Sequence, residues 1–199
     1  MKKQWVIWDL CIGLGGWTEA FVQSDWIVCR IENNPDLQYV PFTLELDVLE
    51  WEDWIEDLPK PNVIVASPPC LEFSLAYNAP GPTAQRQGKP FTPNLDLVRA
   101  CLDIIDYMKP DYWLLENVKG AQTHFLPLIG GRRQLIGPFY LWGNFPLLSM
   151  PPHFQHRKGE QDTWSDNPLR SNLNAMIPFE MSFELHQTIS RQWTLARWS

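Results

Sequence analysis

No pair of cysteines in this sequence is spaced as a metal or redox motif. Cys11, Cys29, Cys70 and Cys101 stand far apart, with no CxxC among them. That argues against a zinc site or a disulfide framework, and it makes a reducing cytoplasm the expected setting. An excess of basic charge is missing too. Lys and Arg total 16 against 23 Asp and Glu, a net charge of −7, so a broad basic face for gripping duplex phosphates is excluded. Only local clusters remain, Arg132 with Arg133, and Arg86, Lys89 and Arg99. No apolar run is long enough to span a bilayer, and the N-terminus lacks the apolar centre and small-residue cleavage site of a signal peptide. What is present is a chain of 199 residues, 45% hydrophobic, with 11 Trp and 18 Pro. That is enough for a sizeable core, and without repeats or a linker it reads as a single domain over 1–199.

The stretch from Val63 to Ser74 organises the rest. Val63-Ile64-Val65-Ala66 reads as a buried parallel strand. Pro68 and Pro69 end it, since neither can donate to a ladder, and Cys70 is left at the carboxyl end. In open α/β sheets that edge carries ligands and chemistry. From these residues alone Cys70 is either a nucleophile or a buried core thiol.

Taken in order, the chain alternates strands and helices. Gln4–Asp9 reads as a first strand, followed by the turn Leu10-Cys11-Ile12-Gly13-Leu14-Gly15-Gly16-Trp17, with Thr18 as N-cap of a helix to about Ser24. Glycines there let a ligand approach the backbone. The G-x-G-G spacing is neither the dinucleotide fingerprint nor a P-loop. Trp26–Glu32 reads as a second strand ending in an acid suited to ribose hydroxyls, with a turn at Asn33-Asn34-Pro35. Leu44–Val48 is a short third strand whose Asp47 suits an adenine amino group. Trp51–Leu58 is a short acidic helix, and 77–93 reads as an unstructured lid or binding loop. A helix capped by Asn94 or Thr92 follows, apolar at Leu95, Val98, Cys101, Leu102, Ile105 and Met108. Asp111–Val118 is a strand that brings Glu116 to the same sheet edge as Cys70. Tyr140–Phe145 and its neighbour Phe139 read as another strand, Met150–Pro168 as loop, and Asn174–Thr188 as a helix packing back on the sheet. The fold class is therefore α/β, a doubly wound and mostly parallel sheet.

A thiol and a carboxyl on one sheet edge suit attack on a pyrimidine. Cysteine adds to C6, the ring becomes an enamine, and C5 turns nucleophilic. A carboxylic acid kept neutral by burial can hydrogen-bond cytosine N3 and its amino group. The electrophile would be the sulfonium methyl of S-adenosylmethionine at the glycine turn.

These residues resemble the cytosine-C5 DNA methyltransferases. Asp9-Leu10-Cys11-Ile12-Gly13-Leu14-Gly15-Gly16 looks like the family's cofactor motif, Ser67-Pro68-Pro69-Cys70 with Phe73-Ser74 like its nucleophile motif, and Glu116-Asn117-Val118 like the motif that holds the target cytosine. The resemblance covers roughly Val6 to Gly120. It implies a Rossmann-like S-adenosylmethionine-dependent fold and a covalent Cys–C6 adduct on a base flipped out of DNA. It makes Cys70 the nucleophile and Glu116 the acid. Cofactor contacts fall on Asp9, Leu10, Cys11, Gly13, Gly15, Gly16, Trp17, Glu32, Asn33, Asp47, Val48 and Pro68, with no metal.

The family's Gln-x-Arg-x-Arg motif is not present as such, and Arg133 is its nearest match as a third catalytic residue. Its Gly-Asn-x-Val-Pro motif survives only as Asn174-Ala175-Met176-Ile177-Pro178. Where the family carries a target-recognition domain, only a reduced region of about 130–172 stands here, as in compact methylases of bacterial viruses. Short or relaxed sequence context is expected, and a protein partner for target recognition is left open. An RNA (tRNA) cytosine-C5 methyltransferase and a non-catalytic S-adenosylmethionine- or DNA-binding module are the alternatives. A zinc deaminase is set aside because position 73 is Phe, not a second cysteine, and no His-x-Glu occurs.

Overall fold

The computed structural model describes residues 4–155 and 169–196. Five parallel strands run through the first two thirds of the chain: β1 (Val6–Leu10), β2 (Ile27–Glu32), β3 (Thr43–Glu45), β4 (Val63–Ala66) and β5 (Tyr112–Asn117). A hairpin of β6 (Gln134–Ile136) and β7 (Phe139–Asn144) completes a seven-stranded sheet of order β3-β2-β1-β4-β5-β7-β6. β7 is antiparallel to both of its neighbours.

Two apolar layers explain why these strands form. β1 and β4 are buried along their whole lengths, as near-continuous apolar strands in a covered parallel sheet must be. The period of two splits their side chains between the faces. Ile7, Val63, Val65 and Leu114 meet α1 (Glu19–Val22) and α7 (Phe179–Ala196) through Phe21, Met181, Leu185 and Ile189. Trp8, Leu10, Ile64, Ala66 and Leu115 meet the opposite layer, α2 (Trp51–Trp54), α4 (Asp96–Met108) and α5 (Gln122–Ile129). Helices on both faces make the sheet doubly wound, as expected.

The helical pattern from Leu95 gives α4. The Asn94 side chain accepts from the Asp96 backbone N–H at 2.7 Å, and Lys109 closes the helix in the left-handed region ahead of Pro110. Elsewhere four expectations are corrected. The 77–93 segment is not unstructured: α3 (Pro80–Arg86) forms there, started by Pro80, whose fixed φ suits a first helical position. The third strand stops at Glu45, so Asp47 lies past it, in extended backbone, accepting from Leu49 N–H at 2.8 Å. The helix placed at Asn174–Thr188 is two helices, α6 (Arg170–Ala175) and α7, broken ahead of Pro178. Thr18 does precede α1, but its hydroxyl does not cap it and binds Asp9 instead. Of the loop expected over Met150–Pro168, residues 156–168 lie outside the described residues. Among the described residues no helix is long and apolar enough to cross a membrane, and no group of three metal-ligating side chains occurs.

Candidate active site

The sheet order reverses between β1 and β4, and crevices form at such switch points, outside the carboxyl ends of the strands. The turn after β1 and the turn after β4 flank this one. The first turn leaves β1 through Cys11, which has a positive φ of 56°. Its backbone N–H donates to Ile31 O at 3.1 Å. Gly15 takes φ 77° ahead of the short helical turn Gly16–Thr18. A Cβ there would stand 2.8 Å from the guanidinium carbon of Arg30, so only glycine fits.

Arg30 was not foreseen as part of this site, although a lone cation inside the apolar run Trp26–Ile31 was a signal. It is 1% exposed. Its guanidinium donates to Gly15 O at 3.0 Å, Thr18 Oγ1 at 2.9 Å, Pro41 O at 3.0 Å and Glu19 Oε2 at 3.0 Å. Thr18 passes its own hydrogen to Asp9 Oδ2 at 2.8 Å. Burial pushes the Asp9 carboxyl up to about 7, against the opposing pull of Thr18 and Arg30. The glycine turn is thus clamped from beneath by a buried polar network. Asp9, Leu10, Trp17 and Val48 are all buried. Their side chains pack inward and form the turn and the floor beneath it.

Of the predicted cofactor contacts, Cys11, Gly13, Gly16, Glu32, Asn33 and Asp47 are half-buried or exposed as residues. Glu32 ends β2 and accepts from Gly13 N–H and Asn34 N–H, both at 3.1 Å. Asp47 accepts from the Asn33 amide at 2.9 Å. The carboxyl groups predicted for ribose and adenine therefore stand beside the glycine turn. The Cys11 thiol is held well above its ordinary pKa, first by a hydrogen bond with the Cys101 thiol and then by burial.

The second turn carries Cys70, half-buried ahead of the short helical turn Leu71–Phe73, with its carbonyl accepting from Phe73 N–H at 3.0 Å. Phe73 plugs this turn into the core edge-on against Phe125, ring centroids 5.3 Å apart. A Cβ on Gly120 would meet the Phe73 carbonyl oxygen at 1.9 Å, so the segment after β5 touches the nucleophile turn directly. Asn117 adds a second tie, its side chain donating to Pro68 O at 2.9 Å from a fully buried position.

β4 and β5 pair with Ala66 opposite Leu115, so the next residues, Ser67 and Glu116, are neighbours. Glu116 is only half-buried by its surface, yet close packing around its carboxyl pushes it up to about 7 despite a hydrogen bond from Ser67. Cys70 and Glu116 thus come to one edge, as predicted. Arg133 does not join them. It stands just before β6, the outermost strand, with β7 between that strand and β5, and its Nε donates to Phe145 O at 2.6 Å.

Among known proteins, the fold is similar to that of the Entamoeba histolytica methyltransferase EhMeth, with TM-score 0.53 and 13% identity over 78% of this chain and 58% of that one. Solved structures of an S. pombe Dnmt2 methyltransferase (TM-score 0.44, 17% identity, 71% and 50% covered) and of a DNA modification methyltransferase encoded within an E. coli prophage (0.44, 16%, 71% and 47%) also match. The chain spans about half the length of these last two. No curated protein sequence matches it. Residues 6–126 match the family described as C-5 cytosine-specific DNA methylase, which takes in the glycine turn, the Cys70 turn and the Glu116 strand end; the chain belongs to that family.

Proposed function

We propose that this chain transfers a methyl group from S-adenosylmethionine to C5 of a cytosine in DNA, through a covalent adduct between Cys70 and C6. The observation that carries the reading is the pairing of two strand ends: a reachable cysteine on β4's turn and, on β5, a carboxyl pushed up to about 7.

The donor set fits the cofactor. The Gly13–Gly15 backbone allows close approach, and Glu32 and Asp47, both beside the turn, keep acceptor lone pairs for hydroxyl and amino hydrogens. When bound, S-adenosylmethionine supplies an electrophilic methyl group. The chain's residues do the rest. Cys70 adds as thiolate to C6, forming the S–C6 bond and breaking the C5–C6 double bond. Glu116, protonated, donates to cytosine N3 and accepts from the amino group, drawing electron density into the ring as C5 becomes nucleophilic. After C5 has received the methyl group, its proton passes to solvent water, the C5–C6 double bond re-forms and the S–C6 bond breaks, releasing Cys70 as thiolate. Arg133 is not given a role in these steps.

A short or relaxed target context goes with this reading, since about forty residues at 130–172 are few for the separate recognition domain that a long site would call for. The test is labelled methyl transfer with DNA and tRNA side by side. Label in 5-methylcytosine of DNA alone is the expected result. Label in tRNA alone, or no transfer with intact cofactor binding, would overturn the proposal.

A further inference from the structure

Three side chains from distant parts of the sequence meet on one face of the sheet. The alternation that puts Val65 and Leu114 in the α1/α7 layer carries on to Ser67 and Glu116. Ser67 N–H donates to Leu10 O at 3.1 Å, so the β1–β4 ladder reaches this residue and fixes its direction. Trp17, 1% exposed and in the same layer, sends its indole N–H to Ser67 Oγ at 3.1 Å. Ser67 and Glu116 are the next residues along the paired strands β4 and β5, and the Ser67 hydroxyl pulls the Glu116 carboxyl downward against the effect of burial. Trp17 is itself pinned from α7, because Ser182 Oγ donates to its backbone carbonyl at 2.7 Å and accepts from Ala20 N–H at 3.0 Å.

The polarity of this chain follows from what each group can do. An indole nitrogen only donates. Ser67 Oγ must accept from it, which directs the single hydroxyl hydrogen toward Glu116. The carboxyl oxygen facing Ser67 is then an acceptor, so the proton of neutral Glu116 sits on the other oxygen. We propose that Trp17 and Ser67 are positioning residues that decide which oxygen of Glu116 carries its proton, leaving the O–H to face the substrate base. This rests on the reading of Glu116 as the acid. It gives a buried tryptophan of the glycine turn a part in the chemistry at the neighbouring strand end, where it would otherwise be only packing.

The test does not need turnover. Carboxyl NMR of protein labelled in its glutamate side chains, with Glu116 assigned through Glu116→Gln, reads the Glu116 midpoint directly. Removing a hydrogen bond that favours the charged form must raise that midpoint. Ser67→Ala should move it up by about one unit, Trp17→Phe should move it up by less, and Ser67→Thr, which keeps the hydroxyl, should leave it in place. In the Ser67→Ala background Trp17→Phe should add nothing, since the two act through one bond. The high-pH limb of the methyl-transfer rate should move with the midpoint, at unchanged KM for cofactor in Ser67→Ala. A midpoint that stays put in Ser67→Ala overturns the inference, whatever the wild-type activity. The predicted shifts in a protein that transfers no methyl group would uphold the link and overturn the functional reading instead. Should Trp17→Phe not fold, the Ser67 pair decides the matter alone.

Discussion

The Glu116 carboxyl is the residue whose chemistry most constrains the account. Its pKa is raised from the ordinary carboxylate range to about 7, chiefly by burial. A group raised in this way keeps its proton below that value and loses it as pH climbs through it. The reaction needs the protonated form, so methyl transfer should fall as pH rises past about 7. Glu116→Gln, which cannot titrate, should lose that limb and run roughly a hundredfold slower. Rate–pH profiles of the two proteins check both parts. Asp9 makes a matching statement about stability. It too is raised to about 7 by burial, whereas unfolded it would ionise near 4. The folded state therefore holds the extra proton between those values, and the stabilisation present below about 4 is lost as pH rises toward 7. Asp9→Asn should flatten that part of the stability curve, as urea unfolding at pH 5 and pH 8 would report. An equal slope in the two proteins would contradict the burial argument.

Among the elements, the turns decide the site. Gly15 sits in the left-handed region against a buried arginine, and Gly120 lies against the backbone of the nucleophile turn. Gly15→Ala should cost about 1–2 kcal/mol in backbone strain, before any displacement of Arg30, and weaken cofactor binding by roughly tenfold, measured by calorimetry. Gly120→Ala should leave cofactor binding near the wild-type value and depress methyl transfer, because it displaces the Cys70 side of the crevice alone. Five parallel strands, α4 and the placing of the Cys70 turn and Glu116 on one sheet edge were legible in the sequence, since apolar runs ending in Pro or an acid mark buried strands and their carboxyl ends. The network beneath the glycine turn was not. Thr18 read as a helix cap because capping is the commonest use of a threonine in that position, and the hydroxyl goes instead to a carboxyl nine residues earlier. Nothing local could show that Ser182, 165 residues from Trp17, holds its carbonyl. Helix α3 was missed because a Pro- and Gly-rich stretch reads as loop, yet Pro80 falls at the one helical position that favours it.

At the scale of the whole molecule, the described residues form one seven-stranded sheet with helices on both faces. The family match ends at residue 126, and the sheet closes with a single antiparallel hairpin on the β5 side. With a net charge of −7, binding to DNA should rest on few phosphate contacts and a shallow salt dependence. Bisulfite sequencing of a treated plasmid should therefore show methylated cytosines in a short or relaxed context, and methylation confined to one site of six defined base pairs would count against this reading. The central claim, that the Cys70 sulfur bonds to C6, is tested most directly with DNA containing 5-fluorocytosine, whose fluorine cannot leave as a proton does. In the presence of S-adenosylmethionine the wild-type protein should become covalently joined to this DNA, the attachment mapping by mass spectrometry to the Cys70 peptide, and Cys70→Ala should form no such species. Methyl transfer to ordinary DNA without a trapped adduct, or an adduct on another residue, would contradict it.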